Sequence, residues 1–183
     1  IAGALRNGAR QVDAVEIDPV IISVGQKLHP EQPYSSDRVN RVNDDARSFF
    51  HRTGKQYDLI VFGLLDSHTL SSNLSNVRLD NFVYTLESIR EARGLLKPDG
   101  VLVLIFDVMD RFIGQSLYGI MAEVFEEPPV CFRLNDSVRG WGGSVFIGGN
   151  RTTITRTLAG YPFLAKLADG SYGQSKSQRI IPT

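Results

Sequence analysis

With 183 residues, 42% of them hydrophobic, the chain is long enough to bury one sizeable core and is expected to hold a single main domain. Twenty Lys and Arg offset twenty Asp and Glu, so the formal net charge is zero and nothing in the bulk charge favours nucleic acid or an anionic membrane as partner. The lone cysteine, Cys131, excludes an internal disulfide and suits a reducing, cytoplasmic setting, and no apolar run reaches the roughly 20 residues of a membrane-spanning helix.

Residues 1–8 are small and apolar and end in Asn7-Gly8, a helix stop. They look like the tail of a helix whose start lies upstream, so a fragment of a longer chain is expected. The run from Val12 to Ile17 is β-branched and closes on the carboxylates Glu16 and Asp18, with Pro19 suited to a first helical turn. It predicts a buried parallel strand that brings Glu16 to its carboxyl end, where open α/β sheets bind ligands. The alternative is that Glu16 and Asp18 only cap the next helix. In that helix Val20, Ile21, Val24 and Leu28 fall at helical spacing, and His29-Pro30 stops it.

A loop follows, then a short strand over 38–42 and a helix for which Asp44 or Asp45 is placed as N-cap. Residues 57–63 are nearly continuous in apolar side chains, as in a central strand covered on both faces. The polar stretch 64–80 at its carboxyl end reads as an active-site lid. An amphipathic helix over 81–94 leads through the turn Lys97-Pro98-Asp99-Gly100 into a fourth buried strand, 101–106. A helix over 112–125 stops before Pro128-Pro129, and 130–134 with 144–148 form an antiparallel pair. Strands alternating with helices and closed by a hairpin predict a doubly wound α/β fold with a mostly parallel sheet. His29, His51 and His68 are scattered without metal-ligand spacing, so no metal site is expected.

Five strings in order, V-E-I-D-P at 15–19, D-R-V at 37–39, D-D-A-R at 44–47, Y-D-L-I-V at 57–61 and L-K-P-D-G-V-L at 96–102, resemble the spermidine synthase family of polyamine aminopropyltransferases. The resemblance covers roughly 1–150 and implies the Rossmann-like fold of class I S-adenosylmethionine-dependent transferases. Relative to that family, the first strand and its glycine-rich loop would lie before Ile1. Residues 1–150 are then the nucleoside-cofactor-binding transferase domain and 151–183 a partly ordered C-terminal tail.

The resemblance implies that Glu16, with Ile17 beside it, holds the cofactor ribose and that Asp45 with Ala46 lines the adenine pocket. The chemistry suits these residue types, since a carboxylate accepts from ribose hydroxyls or from an exocyclic amine. A plain helix cap is the competing role for Asp45. The family aspartate that helps deprotonate the attacking amine is replaced by Gly63, which stays among the cofactor-side residues, while the second carboxylate position is Asp66. A protonated amine must lose a proton before it attacks, and Asp66 or His68 in the lid are the candidate bases.

The expected activity is transfer of an aminopropyl or methyl group, from decarboxylated S-adenosylmethionine or S-adenosylmethionine, to an amine or another small nucleophile. The alternatives are a plain methyltransferase and a catalytically degenerate nucleoside-binding domain of a larger, membrane-anchored protein. A homodimer stays open.

Overall fold

The computed structural model describes residues 1–63, 83–108, 111–135 and 142–169, where the apolar runs become six strands and the periodic segments seven α-helices. The chain divides into two units, Ile1–Thr53 and Gly54–Thr183.

In the first unit α1 (Ala2–Arg6) ends at Asn7, and Gly8 takes a φ of +84°, a left-handed conformation that glycine adopts without strain. β1 (Val12–Glu16) pairs in parallel with β2 (Val39–Asn43), placing Val12 beside Val39 and Glu16 beside Asn43. Between them runs α2 (Pro19–Leu28), with Pro19 in its first turn and the Asp18 side chain accepting from Val20 N at 2.8 Å. The apolar stripe Val20, Ile21, Val24 and Leu28 is helical as expected, yet it is exposed. The face turned inward carries Ile22 and Gly25 instead, because Gly25 lets the Tyr34 ring approach so closely that a Cβ there would sit 2.7 Å from Cε2. Tyr34 belongs to a 3-10 turn, Pro33–Ser35. α3 (Ala46–Arg52) follows β2.

In the second unit β3 (Tyr57–Gly63), β4 (Leu96–Phe106), β5 (Val130–Leu134) and β6 (Gly143–Gly149) form a sheet in the order β3-β4-β6-β5. β3 and β4 are parallel, and β6 is antiparallel to both β4 and β5. Among the described residues β6 alone therefore runs against its neighbours, and the strand arrangement is mostly parallel. The expectation of a central position for β3 is corrected: among the described residues it is an edge strand, with Leu59 and Val61 exposed. An unbroken apolar run reports what a strand could bury, not how many neighbours it has.

The expected turn at 97–100 lies inside β4 as an irregularity, since Tyr57 pairs with Leu96 while Leu59 already pairs with Val101. Such a bulge is where Pro98 is tolerated within a sheet. α4 (Leu86–Gly94) forms the later part of the helix expected over 81–94 and is capped by the Thr85 side chain, which accepts from Ser88 N at 3.2 Å; residues 81–82 of that expected helix lie outside the described residues. α5 (Arg111–Phe125), α6 (Arg151–Ala159) and α7 (Pro162–Ala168) complete the unit.

Sheet alternation sorts the core into two layers. Leu102, Leu104 and Phe146 are fully buried on the side of α4 and α5, with Ile89, Ala92, Met121 and Val124. On the other face Phe132 and Val145 meet Leu167 of α7, joined by Val103, Ile105 and Leu164. Burial of a side chain such as Phe146 stabilises the fold by about 2–3 kcal/mol. Residues 151–169, expected as part of a partly ordered C-terminal tail with a short apolar patch over 161–167, thus supply a helix that closes one face of the sheet.

Candidate functional site

The parallel β1/β2 ladder ends at Glu16 and Asn43, and the chain leaves both strands at the same end. There the Asn43 side-chain amide donates to Glu16 O at 2.9 Å and Ile17 O at 3.0 Å, while Asp44 N donates to Glu16 O at 3.2 Å. Asp44 also accepts from Asp45 N at 3.0 Å and pairs with Arg52. The backbone around Glu16 is thereby held from three sides.

Glu16 is half-buried, and its Oε1 accepts from Asp18 N at 3.0 Å. Its Oε2 has no hydrogen-bond partner among the described residues. The N-cap of α2 is Asp18, so the two carboxylates divide their work and Glu16 keeps one oxygen uncommitted. Asp45 is the N-cap of α3; its Oδ1 accepts from Arg47 N and Ser48 N, each at 3.0 Å. Its Oδ2 is likewise uncommitted among the described residues. Glu16 and Asp45 therefore present one acceptor oxygen each from the carboxyl end of the same parallel pair. Half-buried Ala46 opens α3, and Ile17 is exposed beside Glu16.

Tyr34 is a member of this neighbourhood that sequence reading passed over as loop. Burial, and secondarily the negative charge of Glu16, raise its phenol above the usual 10.0, so it stays a neutral donor at neutral pH. The available signal was indirect: the glycine at 25, nine residues beyond the strand end, with an aromatic nine residues further on.

Gly63 ends β3, in the second unit, and is exposed. A Cβ built there meets nothing within 4 Å among the described residues, so none of them crowds the position. Asp66 and His68 lie outside the described residues. A shallow hollow of about 210 Å³ is lined by Ala2, Leu5, Arg6, Glu31, Pro33 and Arg38. It adjoins the start of β2 and includes neither Glu16 nor Asp45, the wrong end for a ligand of an α/β sheet. Among the described residues, no helix is long and apolar enough to cross a membrane.

Comparison with known proteins agrees with this architecture. A polyamine aminopropyltransferase 2 of Aquifex aeolicus is 26% identical over 98 residues, a stretch that is 51% of this chain and 18% of the relative. The chain thus spans less than a fifth of that relative's length. Among solved structures, human methyltransferase-like protein 13 in complex with SAH superposes with a TM-score of 0.61 at 18% identity, over 92% of this chain and 75% of that one. A spermidine synthase in complex with the transition state analogue AdoDATO gives 0.55 at 18% identity, over 76% and 44%. The fold is accordingly the α/β class I methyltransferase and spermidine synthase fold. Residues 6–110 match the spermine/spermidine synthase domain, more than half of the chain, and the chain belongs to that family.

Proposed function

We propose that this chain is the nucleoside-binding part of a spermidine synthase-like transferase that moves an aminopropyl or methyl group to an amine or another small nucleophile. The observation that carries the reading is the pair of uncommitted carboxylate oxygens, Glu16 Oε2 and Asp45 Oδ2, at one end of a parallel strand pair. Both fit donors of a nucleoside. Glu16 takes the ribose hydroxyls, Asp45 the exocyclic amine of the purine, and small Ala46 with apolar Ile17 leaves room for flat surfaces between them. Two relatives by fold are described as holding SAH and AdoDATO, which supports a cofactor of the S-adenosylmethionine type, decarboxylated or not.

When bound, such a sulfonium nucleoside supplies an electrophilic carbon next to a leaving thioether sulfur. The residues of this chain have to hold the nucleoside, align the nucleophile and take one proton from it. Asp66 or His68 takes that proton, since the position of the family base is Gly63. Aligning the reacting atoms in line supplies most of the remaining acceleration, which asks for a shaped pocket more than for many charged groups.

Calorimetry with S-adenosylhomocysteine and methylthioadenosine tests the reading. Binding of either is expected, weakened about 10- to 100-fold in Glu16→Ala, the loss typical of hydrogen bonds to a charged group. Binding that is absent, or indifferent to Glu16 and Asp45 alike, overturns it.

A further inference from the structure

At the carboxyl end of β4, in the second unit, a polar corner interrupts the apolar layer facing α4 and α5. Phe106, Ser144 and Arg133 are cross-strand neighbours on β4, β6 and β5, and so share one face of the sheet. Asp107 follows Phe106 directly, and Phe106 packs edge-on against Tyr84 with ring centroids 4.9 Å apart. Arg133 reaches across this corner to Asp107 Oδ1 at 3.4 Å and Val108 O at 3.5 Å.

Three features set this pair apart from an ordinary structural ion pair. Its contacts are at the long limit of hydrogen bonding, so the guanidinium is poorly satisfied by the partners it has. Only two of its five N–H donors are engaged among the described residues, and neither side chain is sealed off, at 27% exposure for Arg133 and 31% for Asp107. Beside them Ser144 Oγ is fully buried with no partner among the described residues, so the corner holds unmet hydrogen-bonding capacity. The location also fits a substrate. Gly63 pairs with Ile105 at the end of β3, so Asp107 lies two residues further along the neighbouring strand, on the order of 8 Å away from strand spacings.

We infer that Asp107 and Arg133 form an acceptor subsite for an amine that also carries a carboxylate, an α-amino acid with a side-chain amine, in preference to a plain diamine. This rests on the transferase reading above. The incoming carboxylate takes the planar fork of Arg133 in two parallel hydrogen bonds, a bidentate geometry that the present two long contacts, one to Asp107 and one to Val108 O, do not make. The Asp107 carboxylate, released from Arg133, accepts from the ammonium of the same head group. One weak internal ion pair is thus exchanged for two stronger ones with the ligand. A plain diamine would leave Arg133 facing a cation, which disfavours it.

L-ornithine and putrescine differ only by the carboxylate and are the probes, titrated calorimetrically into the full chain, alone and saturated with methylthioadenosine. Ornithine is expected to bind about tenfold or more tightly than putrescine, and Arg133→Gln to abolish that preference while leaving methylthioadenosine affinity unchanged. Arg133→Lys keeps the charge without the fork and is expected to lose most of the preference, which covers the case of a poorly folded glutamine variant. Equal or tighter putrescine binding, no ornithine binding, or an equal loss for both probes in the variants overturns the subsite. Failure of methylthioadenosine to bind counts against the transferase reading alone, because the ornithine and putrescine titrations without nucleoside still report on Arg133.

Discussion

Asn43 staples the exit of the neighbouring strand: its one side-chain amide donates to Glu16 O and Ile17 O, at 2.9 and 3.0 Å. The direction in which Glu16 leaves β1 is therefore set by a residue of β2. Asn43→Ala should cost about 1 kcal/mol of stability, the net worth of hydrogen bonds of this kind, and weaken nucleoside binding further by loosening Glu16. Denaturant midpoints and a calorimetric titration measure the two effects separately. A variant with lower stability and unaltered nucleoside affinity would show that the staple does not serve the site.

Asp45 is both a helix cap and the proposed contact to the purine, and two substitutions separate these roles. Asp45→Asn keeps a capping oxygen and should change stability by only a few tenths of a kcal/mol, whereas Asp45→Ala should cost about 1 kcal/mol. Both should weaken nucleoside binding, since the Asn amide carries one carbonyl oxygen, already committed to Arg47 N and Ser48 N in this geometry. Intact affinity in Asp45→Asn would reduce the residue to its capping role.

Gly63→Asp should fold normally, with stability within about 0.5 kcal/mol of the parent, because no atom of the described residues lies within 4 Å of the added Cβ. It restores a carboxylate at the end of β3. If a missing base limits transfer to diamines, turnover with putrescine should rise in this variant, and its pH profile should shift toward lower pH. Unchanged turnover would place the proton transfer elsewhere.

Gly149 offers the opposite case. Its φ is +130°, and a Cβ there would stand 2.5 Å from Gly100 O and 2.9 Å from Val101 Cα, both backbone atoms that cannot move aside. Gly149→Ala should destabilise by about 2 kcal/mol or more, strain adding to overlap. Thermal or denaturant unfolding that matches the parent would contradict the close approach of β6 to β4.

Burial pushes the Cys131 thiol up from 9.0 to about 12. In the folded chain at pH 8 it should resist a thiol-reactive reagent and label only after denaturation. The sign of the pH effect follows from linkage. Below about pH 9 folded and unfolded chains both keep the proton, and this contribution to stability is complete. As pH rises from 9 toward 12 the unfolded chain alone loses the proton, so stability should fall across that window; the raised phenol of Tyr34 acts in the same direction above pH 10. Stability that rises there would contradict the burial.

Local pattern was enough to place strand ends and caps. β-branched runs closed by Pro or Gly set β1 to end at Glu16, and an aspartate before a helical segment marked the start of α3, because these features depend on residues within a few positions of one another. What required the tertiary structure is non-local. That β3 is an edge strand among the described residues, that β6 inserts between β4 and β5, and that the inward face of α2 is the one with Gly25 all depend on which distant segment arrives as a neighbour. The same holds for Tyr34 near Glu16 and for Arg133 beside Asp107, residues 18 and 26 positions apart in the chain. Periodicity states how a segment can bury its side chains; only the packed chain decides which polar atoms are left without partners, and those atoms carry the proposed chemistry.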